Sequence, residues 1–273
     1  MKKVFETIAL HILILVCVTA TLLPLIFMVS TSFKETSEIF SKIPSLIPKH
    51  PTLEHYRQLF GAMAFTRQFL NSLTVALGLT IMSLLINSMA AFAFAKMYFR
   101  GRERLFTLLL ITMMVPGQVT MMPVFIILKY MGLLNSYLGL IIPGSASVFS
   151  IFMLRQFMSE IPESLLEAAR IDGCSEYGIY WKIMLPLCRP VLATILIFSF
   201  LGSWNEFLWP LIVMLDEGKY TLPVALANLN GQYNTEWGLL MAGSVVVILP
   251  VIAVFLMAQK HYIKGIAAGA VKG

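Results

Sequence analysis

Two groups of polar residues in this chain have types and spacings that suit a chemical role. The first is the pair Asn205 and Glu206, which stands between Trp204 and Trp209 in an otherwise apolar stretch. Where such a stretch crosses a bilayer, a central charge costs about 2.5–3.5 kcal/mol, so these residues usually face a neighbouring helix or a water-filled cavity. The pair is therefore a candidate lining for the path of a polar solute, with a structural contact to another helix as the alternative.

The second group lies in residues 155–187. Pro162 suits the first position of a helix, and the carboxylate of Glu163 suits its first turn. Gly173 tolerates a positive φ and ends that helix, and Ser175 can cap a second helix that stops before Pro186. We therefore predict two short helices joined by a sharp glycine turn.

One face of the first predicted helix is nearly flat. Leu165, Ala168, Ala169 and Asp172 fall on or near that face at helical spacing. The small alanine side chains leave room for another backbone to approach closely. On these grounds alone, an ordinary amphipathic connection is the alternative interpretation.

The chain lacks the residue patterns of common enzymes and metal sites. It has no G-x-x-x-x-G-K-[ST] phosphate loop, no G-x-S-x-G and no H-E-x-x-H. The histidines and cysteines are dispersed and form no C-x-x-C pair: His11, His50, His55, His261, Cys17, Cys174 and Cys188. We therefore predict no catalytic residue, no metal and no cofactor on this chain.

The elements that must position these residues are membrane helices. Of the 273 residues, 58% are hydrophobic and only 12% are charged, and the mean hydropathy is +0.82. A soluble domain of this size has too little interior to hide so much apolar surface, which excludes a water-soluble enzyme and a disordered tail. The net charge of +6 does not indicate nucleic-acid binding, because the basic residues are scattered over short loops.

Six apolar stretches are long enough to cross a bilayer as helices, which takes about 20 residues. They are residues 8–29, 69–95, 105–128, 138–154, 188–213 and 238–258. We predict an all-α, polytopic membrane protein with six transmembrane helices, in which residues 1–273 form a single transmembrane domain. We expect Pro116, Gly117 and Pro123 to break the third stretch, and Pro143 and Gly144 to break the fourth.

Three polar residues inside these stretches are predicted to tie helices together rather than to bind a solute: Asn71, Asn87 and Gln118.

The first stretch, residues 8–29, is predicted to be a retained helix and not a cleaved signal peptide, because its apolar run exceeds the roughly 7–15 residues of a signal-peptide core.

The basic residues predict which loops face the cytoplasm. Twelve of the 20 Lys and Arg residues lie in residues 1–7, 96–104, 155–187 and 259–273, against seven in residues 30–68, 129–137 and 214–237. The positive-inside rule places the first set in the cytoplasm, together with both termini. Residues 30–68 are then an outer loop, residues 155–187 a cytoplasmic loop and residues 259–273 a cytoplasmic tail.

The cytoplasmic loop resembles a known family. Glu167-Ala168-Ala169, then Gly173, then Ile183-Met184-Leu185-Pro186 match the EAA motif, which marks the permease subunits of binding-protein-dependent ABC importers. Further segments resemble the carbohydrate group of these permeases, which includes the six-span permease of the maltose transporter: Thr31–Lys34, Thr52–Tyr56, Asn71-Ser72, Trp204–Pro210 and Gly269–Gly273. The resemblance covers essentially the whole chain.

The resemblance implies a type I ABC importer permease fold and a set of partners. This chain would pair with a second permease subunit, two ATPase subunits and an external solute-binding protein in the cell membrane of a prokaryote. ATP and Mg would be held by the ATPase subunits, so this chain would not itself be an enzyme. A coupling role towards the ATPase is implied for Leu165, Glu167, Ala168, Ala169, Asp172, Gly173, Tyr180 and Pro186, and an ATPase-contacting tail for Gly269, Ala270, Val271, Lys272 and Gly273.

Within that family, Trp204, Asn205 and Glu206 would line the translocation path of a sugar or oligosaccharide, and the outer loop 30–68 would meet the binding protein. Glu167 would offer its carboxylate to a basic residue of the ATPase, with apolar contacts from Leu165 and Tyr180. A glycerol-phosphate importer is an alternative within the group. An ion-coupled transporter would need an internal repeat and ion ligands at the midplane, and a scaffold protein would not require an EAA loop.

Overall fold

The computed structural model describes residues 2–41, 45–61, 64–229 and 236–270, and every regular element in those ranges is a helix, which confirms the all-α prediction. The α-helices are α1 (Lys2–Ser32), α2 (Thr36–Ile39), α3 (Glu54–Gly61), α4 (Phe65–Lys96), α5 (Arg102–Thr112), α6 (Gly117–Tyr130), α7 (Tyr137–Ser145), α8 (Val148–Ser159), α9 (Glu163–Ile171), α10 (Glu176–Ile179), α11 (Leu185–Leu187), α12 (Arg189–Trp204), α13 (Leu208–Val213), α14 (Leu222–Asn228) and α15 (Trp237–Ala270). A π-helical segment, Tyr180–Met184, joins α10 to α11, and a 3-10 turn, Glu217–Lys219, precedes α14.

The described helices are long and apolar enough to form the predicted membrane spans. Three of them do so unbroken: Glu6–Ser32, Phe65–Lys96 and Trp237–Met257. Three further stretches are pairs of helices that bend by more than 40° at a short break. Counted as one span each, the pairs bring the spans in the described residues to six, the predicted number.

The bends in the third and fourth stretches do not fall at every predicted proline. Helices α5 and α6 meet at 103° across residues 113–116, so Pro116 does mark a break. Pro123 lies inside α6 and Pro143 lies inside α7, and the 42° bend between α7 and α8 follows Ser145. The predicted break at Pro123 was wrong, because a membrane helix tolerates proline where neighbouring groups satisfy the freed backbone. The fourth stretch is broken as predicted, but after Ser145 rather than at Pro143.

The fifth predicted stretch, 188–213, is not one continuous helix. Helix α12 ends at Trp204 and α13 begins at Leu208. The N–H of Glu206 still reaches the carbonyl of Ser203, at 3.3 Å, in a tightened last turn before the chain leaves the helix. Glu206 therefore lies in a break rather than on a straight helix.

The chain comprises two compact units. The first contains residues Met1–Thr66 and Leu222–Pro250, and the second contains residues Arg67–Thr221 and Val251–Gly273. The first unit buries apolar side chains from α3, from the start of α4, from α14 and from α15. They are Leu59, Phe65, Leu222, Val224, Leu239 and Ala242.

The second unit contains two apolar clusters. One joins the end of α4 to α8, α9, the π-helical segment and α12, and its fully buried members include Leu154, Met158, Leu166, Ile179, Met184 and Ile195. The other joins α4 to α6, α7 and α13, and contains Val75, Leu128, Leu140, Ile141, Val213 and Met214. The first cluster fixes α9 and the π-helical segment to the end of α4.

Asparagine side chains of α4 hold the broken fourth span in place. Asn87 Nδ2 donates to the carbonyl of Ser145 at 3.1 Å, and its Oδ1 accepts from the N–H of Ser147 at 3.0 Å. These two bonds satisfy backbone groups that the break between α7 and α8 leaves open. Asn71 accepts a 2.6 Å hydrogen bond from the hydroxyl of Tyr137. Both residues tie helices together, as predicted.

Candidate functional site

Residues 162–187, called the EAA segment below, turn sharply at Gly173. Its φ of +82° lies in the left-handed region. The N–H of Cys174 donates to the carbonyl of Ala169 at 2.9 Å, and the N–H of Gly173 donates to that of Arg170 at 3.0 Å. These are the two hydrogen bonds of a Schellman motif. The predicted glycine turn is confirmed.

The second helix of the EAA segment begins where it was predicted but ends later. The hydroxyl of Ser175 accepts an N–H three residues on, at 3.2 Å, and caps α10. The helix then continues through a π turn, in which Leu185 N–H donates to Tyr180 O, and runs to Leu187. The predicted end before Pro186 was wrong. Proline lacks a backbone N–H, but at Pro186 the helix is already changing from π-type to α-type hydrogen bonds, so it can continue to Leu187.

Helix α9 has a buried side and an exposed side, and they differ from the predicted flat face. Leu166 is 0% exposed and Ala169 is buried beside it in the core. Leu165 is 43% exposed, and Glu167 and Ala168 are exposed with it. Ala169 therefore does not belong to the surface that a partner would meet.

The exposed side of the EAA segment is a mixed apolar and acidic surface. It comprises Leu165, Glu167, Ala168, Ile171, Asp172 and Tyr177, and is called the outer face below. Ile171 is 86% exposed and Tyr177 is 70% exposed. Large apolar side chains that are this exposed beside carboxylates suit an interface with a basic and apolar partner.

An arginine joins the two helices of the EAA segment. Arg170 Nη1 donates to Glu163 Oε1 at 3.1 Å, and Arg170 Nε donates to Glu176 Oε1 at 2.8 Å. The hydrogen bonds that Arg170 donates to the carboxylates of Glu176 and Glu163 raise the pKa of its guanidinium above the ordinary value. One guanidinium thus links the first turn of α9 to the first turn of α10.

A buried lysine joins the same segment to α4. The side chain of Lys96 is only 5% exposed, and its Nζ donates to the carbonyl of Ile161 at 2.6 Å. The same Nζ lies 3.5 Å from Glu163 Oε2. The start of α9 is therefore anchored to the end of a membrane span. The sequence does not predict this contact, because nothing local distinguishes Lys96 from the other basic residues of that loop.

Tyr180 is buried within this chain and does not face a partner subunit. Its side chain is 4% exposed, its hydroxyl lies 2.7 Å from Ser88 Oγ, and its ring packs against Phe92 at 5.5 Å. The predicted apolar contact from Tyr180 to a partner was wrong, because the π turn directs this residue into the core. Pro186, by contrast, is exposed.

A cavity of about 580 Å³ lies within the second unit. Its walls come from α4, α6, α7, α8, α12 and the break before α13. The polar side chains among its lining residues are Ser83, Gln118, Thr120, Ser147, Ser150, Ser199, Ser203 and Glu206. Aromatic side chains line it as well: Phe149, Phe198 and Trp209. The volume lies within the range of about 300–1,000 Å³ that small-molecule sites occupy.

Two polar side chains of this cavity point to a role in binding. Glu206 Oε1 accepts the N–H of Trp209 at 3.2 Å, and no ion pair with Glu206 is found among the described residues. The amide of Gln118 has no hydrogen-bond partner in the described part of the chain. Gln118 makes no tie between the described helices, so its role as a helix tie stays a prediction.

The two other residues predicted for the solute path lie outside the cavity wall. Trp204 is 1% exposed, with its ring 5.7 Å from Phe200 and 5.6 Å from Phe69. Asn205 Nδ2 donates back to the carbonyl of Leu201 at 2.9 Å and closes the end of α12. Among residues 204–210, Glu206, Trp209 and Pro210 line the cavity, but Trp204 and Asn205 do not.

The described part of the predicted outer loop 30–68 is held together by Glu38. Its carboxylate accepts the N–H of Lys49 at 3.0 Å and the hydroxyl of Ser45 at 2.8 Å. Ile47 is 79% exposed and Phe40 is 65% exposed. This loop therefore presents apolar side chains on a backbone fixed by hydrogen bonds.

The predicted tail lies mostly outside the part of the chain that can be described. Gly269 and Ala270 belong to the backbone of α15. Val271, Lys272 and Gly273 lie outside the described residues.

The sequence and the fold are similar to those of known transport proteins. Residues 83–266 match the family described as "Binding-protein-dependent transport system inner membrane component". The arabinooligosaccharides transport system permease protein AraQ of Bacillus subtilis (strain 168) is 40% identical over 255 residues, which cover 92% of this chain and 91% of that protein. The protein of the same name from Halalkalibacterium halodurans is 38% identical over 253 residues, with the same coverage of 92% and 91%.

A solved structure has the same fold. One chain of a bacterial ABC transporter involved in the import of the acidic polysaccharide alginate is 25% identical to this chain and superposes with a TM-score of 0.88. The match covers 95% of this chain and 97% of that one.

Proposed function

This chain belongs to the binding-protein-dependent transport system inner membrane component family, and on that premise we propose that it passes an oligosaccharide across the membrane. It is a permease subunit of an ABC sugar importer. ATP hydrolysis is assigned in this proposal to a separate subunit. The observation that carries the choice of an oligosaccharide is the 40% identity to a permease named for arabinooligosaccharides. A glycerol-phosphate importer and an ion-coupled transporter are not favoured by these relatives.

The cavity of the second unit supports this substrate class. Oligosaccharides need hydrogen-bonding groups set in a wall that also offers apolar surface, and ligand pockets commonly combine the two. The cavity supplies serine hydroxyls, the amide of Gln118 and the carboxylate of Glu206, together with the ring of Trp209. Glu206 is therefore retained as a residue of the proposed path, and Gln118 and Trp209 join it.

The proposed assembly contains a second permease, two ATPase subunits and an external solute-binding protein. The name of the family supports the binding protein, because its members are components of binding-protein-dependent systems. ATP and Mg belong on the ATPase subunits in this proposal. In the proposed orientation both termini lie in the cytoplasm, as the distribution of Lys and Arg favours.

The EAA segment is the proposed link to the ATPase subunits. The outer face presents Glu167 and Asp172 beside Leu165 and Ile171. A charge-assisted hydrogen bond from Glu167 to a basic residue of the ATPase would contribute about 1.5–3 kcal/mol. Arg170 joins the two helices of the EAA segment, and Lys96 joins the segment to α4. A displacement of the outer face would therefore move the segment as a rigid body and be transmitted to the membrane spans.

The outer loop 30–68 is the proposed contact of the binding protein. Ile47 and Phe40 offer exposed apolar side chains there, and the bonds to Glu38 hold the described part of the loop in one conformation. The tail Gly269–Gly273 is proposed to contact the ATPase. Cysteine placed at position 270 should crosslink to the ATPase in at least one nucleotide state, and failure in all of them would contradict this contact.

One experiment tests the proposed function as a whole. The complete importer is reconstituted into vesicles, and ATP hydrolysis is measured with a panel of binding proteins loaded with different oligosaccharides. We expect stimulation by at least one neutral oligosaccharide with its binding protein, and none by either alone. Stimulation only by glycerol phosphate, or none by any sugar in the panel, would contradict the proposal.

A further inference from the structure

The charge of the cavity wall bears on which sugars the cavity can admit. Among the described residues that line the cavity, only Glu206 has an acidic or basic side chain, a carboxylate. The remaining polar groups of the wall are hydroxyls, an amide and the indole N–H of Trp209, and none of them carries a charge. A solute carrying carboxylates or phosphates would meet this negative charge with no basic side chain among the described lining residues to offset it.

The hydrogen bonds around Glu206 leave part of its carboxylate available to bind a solute. One oxygen, Oε1, is engaged by the N–H of Trp209 at 3.2 Å, and this bond holds the carboxylate at the start of α13. The indole N–H of Trp209 in turn donates to the carbonyl of Gly139 at 3.2 Å. The second carboxylate oxygen has no hydrogen-bond partner among the described residues, so it is available to a ligand hydroxyl.

Other polar groups of the wall are available beside it. The amide of Gln118 and the hydroxyl of Ser203 have no partner in the described part of the chain, whereas Ser83 and Ser199 lie 3.2 Å apart and engage each other. Glu206, Gln118 and Ser203 therefore offer a carboxylate, an amide and a hydroxyl to the same cavity. Sugar hydroxyls can donate to the carboxylate, but a uronate cannot do so without bringing a second negative charge close to it.

We propose that Glu206 makes this cavity select neutral oligosaccharides against uronate-containing or phosphorylated ones. The inference rests on the proposed function, since it assumes that sugars enter this cavity. The transporter whose chain is similar in fold is involved in the import of acidic alginate, so charge is a property by which importers with this fold can differ. Like charges placed together are a common means of rejecting the wrong ligand.

The test measures the charge at the cavity wall directly. Cys17, Cys174 and Cys188 are replaced by serine or alanine in the intact importer, and Ser203→Cys provides one thiol in the cavity. Its modification by a cationic and by an anionic methanethiosulfonate reagent is followed by mass spectrometry of this chain. We expect the cationic reagent to react at least about tenfold faster, relative to a free thiol, and Glu206→Gln to remove that preference.

Two matched variants separate charge from structure. Glu206→Gln keeps the oxygen that accepts the N–H of Trp209, and Glu206→Asp keeps the charge. The aspartate variant should retain the cationic preference. An equal preference with glutamate and glutamine, or a thiol that reacts with neither reagent, would overturn the inference.

Protection experiments connect the charge to sugars. Arabinotriose should slow modification of Ser203→Cys in the presence of Glu206, whereas a trimannuronate should not, and the Glu206→Gln variant should be protected by both. Equal protection by the two sugars with Glu206 present would contradict the inference. If neither sugar protects either variant, the inference fails, whereas sugar-stimulated ATP hydrolysis by the intact importer would still uphold the proposed function.

Discussion

Arg170 Nε donates a 2.8 Å hydrogen bond to Glu176 Oε1, across the turn that Gly173 makes between two short helices. The same guanidinium reaches Glu163 at the other end of α9. A guanidinium can bond two carboxylates at once because its donors form a planar fork. The bridge therefore makes α9 and α10 one body, and Lys96 fastens that body to the end of a span.

Arg170→Met should uncouple ATP hydrolysis from transport more than it destabilises the protein. The carboxylates that Arg170 bonds are partly exposed, so each ion pair contributes at most about 1 kcal/mol to stability. Loss of the bridge frees α10 from α9, and we expect uptake per ATP hydrolysed to fall severalfold. Uptake and hydrolysis are measured together in vesicles containing the complete importer.

Arg170→Lys is the matched control for charge. A lysine ammonium keeps the positive charge but lacks the fork, so we expect most of the coupling to be lost in this variant as well. Normal coupling with lysine would show that charge alone suffices. Normal coupling with methionine would show that the bridge has no part in the mechanism.

Lys96→Met should destabilise the junction between α4 and α9. It leaves the partly buried carbonyl of Ile161 without its donor, which costs at most about 1–3 kcal/mol, the penalty for a fully buried acceptor. We expect a lower melting temperature of the purified complex and weaker coupling, with partial recovery in Lys96→Arg. An unchanged melting temperature together with unchanged coupling in Lys96→Met would refute the anchor.

Substitutions at Gly173 should rank by backbone preference and not by size. No described atom lies within 4 Å of the place where a Cβ would stand, so added bulk meets no neighbour in this chain. The positive φ costs other residues about 1–2 kcal/mol, and asparagine tolerates it best. We expect coupled ATP hydrolysis to fall in the order Gly, Asn, Ala, Val. If asparagine were as damaging as valine, the position would be limited by contact with a partner instead.

Local backbone chemistry in the EAA segment could be predicted from the sequence, and contacts between distant residues could not. Gly173 predicts a turn and Ser175 predicts a helix cap, because few residue types are favoured at a left-handed turn position or at a helix N-cap. The hydrogen bond from Lys96 to Ile161 joins positions 65 residues apart, and nothing in either neighbourhood encodes it. The prediction for Tyr180 failed for the same reason, because helical spacing does not say which side meets another span.

The candidate path was predictable only in outline. A carboxylate within an apolar stretch indicated that Glu206 lines a cavity, but no proline or glycine within residues 205–207 announced the break that places it there. Gln118 was read as a helix tie because most polar residues in spans are. Its place in the cavity depends on the 103° bend between α5 and α6: Pro116 predicted a break there, but not the angle of the bend or the helices that face it.

Ile47→Asp should weaken contact with the binding protein. Ile47 is 79% exposed, so the substitution leaves the fold of the loop intact and alters only its surface. We expect basal ATP hydrolysis to remain normal, and stimulation by the loaded binding protein to need at least about tenfold more of it. Ile47→Leu keeps the apolar surface and should behave like the unaltered protein. Equal stimulation of the aspartate variant would remove Ile47 from the proposed interface.

The central claim is that the outer face of the EAA segment transmits ATP hydrolysis to the oligosaccharide path. Its most direct test is binding-protein-dependent uptake of an oligosaccharide by vesicles that contain Glu167→Lys, compared with Glu167→Gln and the unaltered chain. We predict that the lysine variant inserts in the membrane, docks its ATPase weakly and loses at least about tenfold in uptake, because a like charge replaces the partner of a basic residue. The glutamine variant should lie between the two. Full uptake by Glu167→Lys would contradict the account.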